Sequence, residues 1–205
     1  MARTGRRPGN ADTRQAILDV ARTQFAELGY EGVSLRGIAR AAGVDAALVH
    51  HYFDGKSGLF AEVMQLPLDP AVALPGVLDG DVEQLGERLL RFFLALWESP
   101  ETGPRMRAAM RTALSSEEAS TRLGHFVVQE ILGRLATRLG SDQAMTRATL
   151  TGTQLIGLAV ARYLVQADPL IRMSVEEIVA AVAPTLQGYL TGDLAEVLAA
   201  EPVQA

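Results

Sequence analysis

The side chains that could carry catalytic or metal chemistry are few in this chain of 205 residues. Its three histidines are His50, His51 and His125, and it has no cysteine. His50 and His51 are adjacent, so on a helix they point about 100° apart and do not easily chelate one metal ion. The sequence has no glycine-rich phosphate-binding loop and no serine in a pattern that pairs it with a histidine and a carboxylate. We therefore expect no enzyme activity, no cofactor and no metal site.

A different chemistry, DNA recognition, is indicated by residues 34–53, SLRGIARAAGVDAALVHHYF. Apolar residues stand at helical spacing on both sides of Gly43, and glycine readily adopts the positive φ of a sharp turn. Ala39 is small where a second helix must cross, and Val44 and Val49 supply an apolar plug between the helices. The pattern is typical of a helix-turn-helix, whose second helix enters the DNA major groove. An ordinary corner between two helices of a bundle would look the same, so both interpretations stay open.

Charge is distributed unevenly along the chain, whose formal net charge is −5. Residues 1–65 carry eight basic and seven acidic side chains, whereas residues 66–205 carry eleven and seventeen. A less acidic head on an acidic body suits a modular DNA-binding protein because phosphate contacts are local. Scatter of surface charge would give the same excess. Residues 1–11 are rich in Arg, Gly and Pro, which predicts a disordered basic arm that lies in a minor groove or only aids solubility.

Helical periodicity, caps and breaks predict an all-α fold without strands. A three-helix head is expected at 12–65. Asp12 is expected to be the N-cap of its first helix, and Gly29 is expected to end that helix. Residues 66–80 are rich in Pro and Gly and predict an irregular connection, followed by a helical body over 66–205. Further elements are predicted in the body: capping boxes at Asp81/Gln84, Ser115/Glu118 and Ser174/Glu177, a helix over 142–166 and a last short helix over 194–200.

The helix predicted over 142–166 is apolar on nearly all faces between 150 and 165 and so needs covering on all faces. Small residues along it would let another helix approach closely, and the helix at 174–190 has a second apolar stripe. Two such helices from each of two chains would close a two-fold symmetric four-helix interface, which predicts a homodimer. The alternative is that both are core helices of a larger monomer.

Soft and aromatic side chains in the body predict a pocket for an unidentified small molecule. The candidate ligand-binding residues are Phe93, Trp97, Met106, Met110, His125, Phe126, Gln154 and Arg162. Such stripes are also what an ordinary core contains. Arg162 lies in an apolar helix and needs a partner, which could be a buried carboxylate, the other subunit or an anionic ligand group.

Residues 12–64 resemble the TetR/AcrR family of bacterial transcriptional regulators. The matching residues are TRQAIL at 13–18, Ala21, Phe25, Gly29, Tyr30, SLRGIA at 34–39, AGV at 42–44, and HYF at 51–53 with Lys56, Leu59 and Phe60. The segment GLAVARY at 157–163 is similar to bodies of actinobacterial members. The resemblance implies a homodimer that binds a palindromic double-stranded DNA operator, usually as a repressor, and releases it when a small molecule enters the body.

Candidate DNA-binding residues follow from position within this resemblance: Ser34, Arg36, Asp45, Ala46, Ala47, Leu48, His50, His51, Tyr52 and Lys56. Arg36 is the candidate for a bidentate contact to guanine. Lys56 opens a helix, where the dipole disfavours a cation, so a phosphate partner would explain it; a solvated surface lysine is the alternative. The chain departs from many members at Ala46 and Ala47, where they carry Lys and Gly. Its recognition helix has no Arg or Lys, so base contacts there must be largely apolar.

Two other functions remain open from the sequence. One is an activator or an architectural DNA-binding protein; the other is a helical binding protein or enzyme with a vestigial DNA-binding head. The chain opens without a signal-peptide pattern, and its most apolar run, 150–165, is short for a membrane span and contains Gln154 and Arg162. These features predict a cytoplasmic protein that does not enter membranes.

Overall fold

The computed structural model describes residues 10–140 and 143–194, and every regular element within them is helical. The predicted all-α fold is confirmed. Residues 1–9 of the predicted basic arm and residues 195–200 of the predicted last helix lie outside the described residues. Within the described ranges, no helix combines the length and the apolar character that crossing a bilayer requires.

Four helices form the head, one more than the three expected, because residues 56–63 also form a helix that packs on it. They are α1 (Asn10–Gly32), α2 (Leu35–Ala42), α3 (Ala46–Phe53) and α4 (Lys56–Val63). Their apolar faces meet in one core, in which Ile17, Ile38, Val49 and Phe60 are fully buried. As predicted, Gly29 breaks α1, with φ of 69° and ψ of 177°.

The body is built from the remaining helices. They are α5 (Pro70–Leu78), α6 (Leu85–Glu98), α7 (Gly103–Ser115), α8 (Glu117–Phe126), α9 (Gly133–Leu139), α10 (Ala144–Ala159), α11 (Asp168–Arg172) and α12 (Val175–Thr191). Two π-helical segments, Val127–Leu132 and Val160–Leu164, extend α8 and α10. The long helix α12 packs against α6 and α10. Gly86 permits the close approach of α6, because a Cβ there would lie 2.7 Å from the backbone nitrogen of Gln187.

Two arginines, one buried and one exposed, bind the last carbonyl groups of body helices. Arg147, 8% exposed, donates to the carbonyl oxygens of Tyr189 (3.1 Å) and Gly192 (2.8 Å) at the end of α12. Arg138 donates in the same way to the carbonyl of Leu78 at the end of α5, at 2.9 Å. The final carbonyls of a helix have no partner within it, so these side chains supply the missing donors and a favourable positive charge.

The connection at 66–80 is more regular than predicted, because it contains the helix α5. Asp69 caps that helix by accepting from the backbone N–H of Ala71 at 2.9 Å, and Pro70 occupies its first turn, where a missing N–H costs nothing. Leu74 and Leu78 are buried in the body. The prediction of irregular structure depended on the prolines of this segment. Packing of Leu74 and Leu78 against the body stabilises α5 even though Pro75 lies inside it.

Two predicted caps are wrong because the helices start elsewhere. Helix α1 begins at Asn10, so Asp12 lies within its first turn and not at the N-cap. Asp81 caps a 3₁₀ turn, accepting from the backbone N–H of Glu83 at 3.0 Å, and α6 begins only at Leu85.

Of the two capping boxes that were predicted to begin with a serine, the one at Ser115 is wrong and the one at Ser174 is confirmed. Helix α7 continues through Ser115, so Ser116 is the N-cap of α8 and accepts from the backbone N–H of Ala119 at 3.3 Å. The predicted box at Ser174 and Glu177 is confirmed: each side chain binds the backbone N–H of the other residue.

Candidate nucleic-acid interface

The turn between α2 and α3 is set by Gly43, whose φ of 69° and ψ of 29° are left-handed. The N–H of Gly43 donates to the carbonyl of Arg40 at 3.3 Å, and that of Val44 donates to the carbonyl of Ala39 at 3.0 Å. These two bonds form a Schellman motif, which ends α2 and turns the chain sharply into α3. The predicted helix-turn-helix is therefore present.

Helix α3 has one buried and one exposed face. Val49 and Phe53 are buried against the head core, together with Ile38 and Ala39 of α2. The opposite face presents Ala47, Leu48, His50 and His51 to solvent. The division of α3 into a buried apolar face and an exposed face is the one that the sequence pattern predicted. The exposed face carries little charge and is available for contact with another molecule.

Seven of the ten predicted DNA-binding residues are exposed to solvent. The exposed ones are Ser34, Arg36, Asp45, Ala47, Leu48, His50 and His51, and the half-buried ones are Ala46, Tyr52 and Lys56. Two of them also hold helix ends: Ser34 accepts from the N–H of Gly37 at 3.1 Å, and Asp45 accepts from the N–H of Ala47 at 2.8 Å. Their geometry gives these two side chains a structural role, and the DNA role of the whole set stays a prediction.

Arg40 joins Arg36 on the exposed face of α2, one helical turn away. Neither guanidinium takes part in the ion pairs formed within residues 10–140 and 143–194. Arg40 was not among the residues predicted from the sequence. The spacing of four residues from Arg36 is the signal that would have identified it.

Lys56 is engaged inside the head. Its Nζ lies 4.5 Å from the centre of the Tyr30 ring and donates to the carbonyl of Glu31 at 3.4 Å. The cation therefore has an intramolecular site that neither sequence alternative included, and a phosphate would have to compete with the Tyr30 ring for it.

Tyr30 connects the head to the body. Its hydroxyl donates to Glu130 Oε1 at 2.6 Å, and Glu130 also pairs with Arg134 at 2.8 Å. Its ring packs edge-on against Phe60 (5.0 Å) and Phe126 (5.4 Å). Burial, and then the hydrogen bond to Glu130, raise the pKa of the Tyr30 phenol above its ordinary value. One hundred residues separate Tyr30 from Glu130, and no local pattern in the sequence predicts this joint.

The predicted ligand-binding residues do not all come together. Five lie in or against one apolar cluster of the body: Phe93, Trp97, Met106, Met110 and Arg162. Phe126 instead completes the head core, while His125 and Gln154 are exposed. Trp97 and Phe126 therefore do not line a single pocket, because Phe126, at the end of α8, points toward the head.

Arg162 has the carboxylate partner that its position in an apolar helix required. Its guanidinium donates to Glu98 Oε1 at 3.0 and 3.1 Å and to the carbonyls of Leu170 and Met173. Tyr163 donates to the same Glu98 oxygen at 2.9 Å and stacks on Trp97 at 5.0 Å. The partner of Arg162 is thus a carboxylate of its own chain, but it is not the buried carboxylate that one alternative required, because the Glu98 side chain is 40% exposed. The arginine joins α11 to α6.

Two family models match the chain. Residues 17–63 match the model described as bacterial regulatory proteins, tetR family, and residues 83–190 match the tetracyclin repressor-like C-terminal domain. The first covers the helix-turn-helix and the second covers most of the body.

Similar proteins include the regulator AcrR of Shigella flexneri, 46% identical over 55 residues, and the repressor KstR2 of Rhodococcus jostii, 38% identical over 61 residues. These segments cover 27% and 30% of this chain, and 26% and 30% of the length of AcrR and KstR2, respectively.

Among solved structures, a TetR-family regulator of Streptomyces coelicolor is 34% identical, with 91% of this chain and 99% of that one covered and a TM-score of 0.46. Native NalD of Pseudomonas aeruginosa is 23% identical, with 90% and 99% covered and a TM-score of 0.49. Since the body model alone spans more than half of the sequence and the head matches its own model, this chain belongs to the TetR family of bacterial regulatory proteins.

Proposed function

We propose that this protein is a transcriptional repressor that binds a palindromic operator as a homodimer in the cytoplasm and releases it when a small molecule enters the body. The observation that carries the proposal is the exposed outer face of α3, held by the Gly43 turn on a head that matches the family model. The repressor names of relatives such as KstR2 agree with it. A regulator with this function has no need of enzymatic activity.

Base recognition would divide between two helices. The Arg36 guanidinium, at the start of α2, suits a bidentate contact to guanine O6 and N7. Ala47 and Leu48 of α3 suit apolar contact with thymine methyl groups, and His50 can donate to a base edge. Phosphate contacts would come from Arg40 and from Lys56, once Lys56 leaves the Tyr30 ring.

Dimerisation would use the outer faces of α10 and α12. Ile156 is 43% exposed, and a Cβ added at Gly157 or Gly188 would meet nothing within 4 Å, so another helix could approach both faces closely. Gly152, in contrast, faces Leu132 of its own body. Two-fold symmetry would place two heads on successive half-sites of the operator.

The effector would act through the joint between body and head. A ligand in the cluster around Trp97 would shift α7 and α10, against which α8 and its π segment pack. Those elements carry Phe126 and Glu130, which hold Tyr30 of the head. The effector can lower operator affinity by no more than the difference between its own affinities for the DNA-binding and the released arrangement of head and body.

A gel-shift assay with DNA from the region upstream of the gene tests the proposal. Arg36→Ala is expected to cost about 1–3 kcal/mol of binding and to relax specificity at one base position. Lys56→Ala is expected to weaken all sequences alike and to reduce the salt slope by about one. Arg172→Ala is the matched control, since this exposed body arginine pairs with Asp168 on its own helix and with no other carboxylate in the part of the chain that the structure describes.

The outcomes separate the competing functions. No sequence-specific shift at physiological salt would contradict the repressor and favour a binding protein or enzyme with a vestigial head. A specific shift together with lower transcription of the neighbouring gene after deletion would instead identify an activator or architectural protein.

Light scattering tests the dimer. Ile156→Glu should yield monomers, because a carboxylate would be buried in the interface without a partner. Ile171→Glu, at a comparably exposed isoleucine of α11, should leave the mass unchanged. A dimer in both variants would place the interface elsewhere.

A further inference from the structure

Two adjacent histidines, His50 and His51, occupy the last turn of α3. The helix has the sequence AALVHHYF, without Lys, Arg, Asp or Glu, so these imidazoles are its only side chains that can become cationic. The negative end of the helix dipole favours a positive charge in this turn. Both side chains are exposed, on the face of α3 that the function proposed above places against DNA.

Neither imidazole is engaged by another polar group of the head. Within residues 10–140 and 143–194, the two rings take part in no hydrogen bond and no ion pair; His51 only lies against Tyr52, with ring centroids 5.3 Å apart. An imidazolium donates from both ring nitrogens, which suits it to the oxygens of a phosphate. Both histidines are therefore available to bind the DNA backbone.

The cations on the helices packed against α3 are of two kinds. Helices α1, α2 and α4 make these contacts. Arg14 of α1 pairs with Glu62 of α4, and Lys56 of α4 lies over an aromatic ring inside the head. Arg36 and Arg40 of α2 are exposed and stay outside the ion pairs of the described residues. These two arginines oppose a further positive charge on α3 while DNA is absent.

Two carboxylates flank α3 in the sequence. Asp45 accepts from the N–H of Ala47 at its start, and the backbone N–H of Asp54 donates to the carbonyl of His50 at its end. Asp54 follows His51 by three residues and favours a charged imidazole, whereas the α2 arginines oppose it. A DNA phosphate adds a negative charge to this balance and so favours the protonated form.

We propose that the histidine pair of α3 binds DNA phosphate in its imidazolium form, so that DNA binding takes up protons and strengthens as the pH falls. The gain is complete where the free imidazole is already charged, and it is lost as the pH rises to the point at which the bound imidazole releases its proton. The consequence for transcription, a repressor that holds its operator more tightly at lower pH, rests on the function proposed above.

The expected size follows from linkage. A phosphate that favours the charged form about tenfold makes binding roughly sixfold tighter at about pH 6 than at about pH 8 for each imidazole. One such contact in each head of a dimer gives roughly 40-fold over the same range. This is the range in which histidine ordinarily changes its charge.

Fluorescence anisotropy of the full chain with labelled duplexes, at constant ionic strength, tests the inference. One duplex comes from the region upstream of the gene, and the other has the same length and a random sequence. His50→Gln and His51→Gln each keep a polar side chain and remove one titrating group, and the double variant should bind equally well across the range. At about pH 8 it should match the wild type, because the neutral imidazole contributes no charge; a merely structural role would weaken binding at every pH.

Two further variants and one measurement complete the test. His51→Arg should bind more tightly than the wild type at about pH 8, because its charge is fixed. His125→Gln is the matched control, since this exposed body histidine is the only other one in the chain, and the pH dependence should persist. If the double variant folds poorly, ring C–H chemical shifts of the wild type replace it: DNA should raise the pH at which His50 or His51 titrates and leave His125 unchanged.

The outcomes separate this inference from the repressor function. Binding that changes less than about twofold with pH, or a pH dependence that survives in the double variant, would overturn the inference and leave the repressor in place. A pH dependence lost in His125→Gln would do the same. Equal, pH-dependent binding of both duplexes would overturn the repressor and support the histidine contact, and binding of neither duplex at any pH would overturn both.

Discussion

Replacing Tyr30 with Phe removes one hydroxyl and leaves the aromatic packing of the head–body joint in place. The hydroxyl donates to Glu130 at 2.6 Å, and Tyr30 is only 2% exposed. Phenylalanine keeps the edge-on contacts with Phe60 and Phe126. The substitution therefore isolates a single hydrogen bond between the two parts of the chain.

The expected cost follows from the surroundings of the carboxylate. A hydrogen bond to a charged group contributes about 1.5–3 kcal/mol when it is buried. Glu130 retains its ion pair with Arg134, and its side chain is 18% exposed, so it is not left unpaired. We expect Tyr30→Phe to lower the free energy of unfolding by roughly 1.5–2 kcal/mol, at the lower end of that range. The coupling to Glu130→Gln in a double-mutant cycle should be about 1 kcal/mol.

Urea denaturation at fixed protein concentration measures both quantities, and hydrogen exchange of the α4 amides reports on the attachment of the head. Tyr163→Phe is the matched control: it removes a similar bond, 2.9 Å to Glu98, within the body. Both variants should lose stability, but only Tyr30→Phe should speed exchange in α4. Additive effects of the Tyr30 and Glu130 substitutions, or equal exchange in the two tyrosine variants, would refute the role of this bond in joining head to body.

Three further predictions concern stability. Gly58→Ala places a Cβ 2.0 Å from the carbonyl oxygen of Phe53, so the backbone must shift. The free energy of unfolding should fall by about 1–3 kcal/mol and the melting temperature, followed by circular dichroism, by about 5 °C. Burial, then bonds to carboxylates, raise the pKa of Tyr30 and Tyr163 above the ordinary 10.0, so the native state holds protons that the unfolded chain loses. Unfolding free energy should then decline as pH rises above 10, and replacing both tyrosines with Phe should flatten that decline. Ser174→Ala should cost about 1 kcal/mol in urea denaturation, because it removes the capping box of α12.

Much of the head was predictable from the sequence because its signals are local. Ser34, Gly43 and Asp45 act on backbone groups within five residues, and apolar spacing identifies which face of α2 and α3 is buried. The same locality explains the errors. Two serines in succession leave the start of α8 ambiguous by one residue, and the prolines at 67–75 conceal α5, which exists because its leucines pack on the body.

The body site was less predictable because residue type does not tell which neighbour a side chain meets. Phe126 and Trp97 are equally suited to a ligand pocket, yet Phe126 lies in the head core and Trp97 stacks on Tyr163. Arg162 required a partner by its chemistry, but three partners were compatible with the sequence and only the fold selected Glu98.

The sequence alone determined the helix-turn-helix, its exposed face and the all-α class, since these depend on interactions within one or two helical turns. Tertiary structure decided how the head is held, because the Tyr30 hydroxyl reaches Glu130 across one hundred residues. Such contacts depend on how helices cross, and crossing is set by the packing of whole faces. The helix-turn-helix therefore follows from local sequence, whereas its connection to the body follows only from the packed fold.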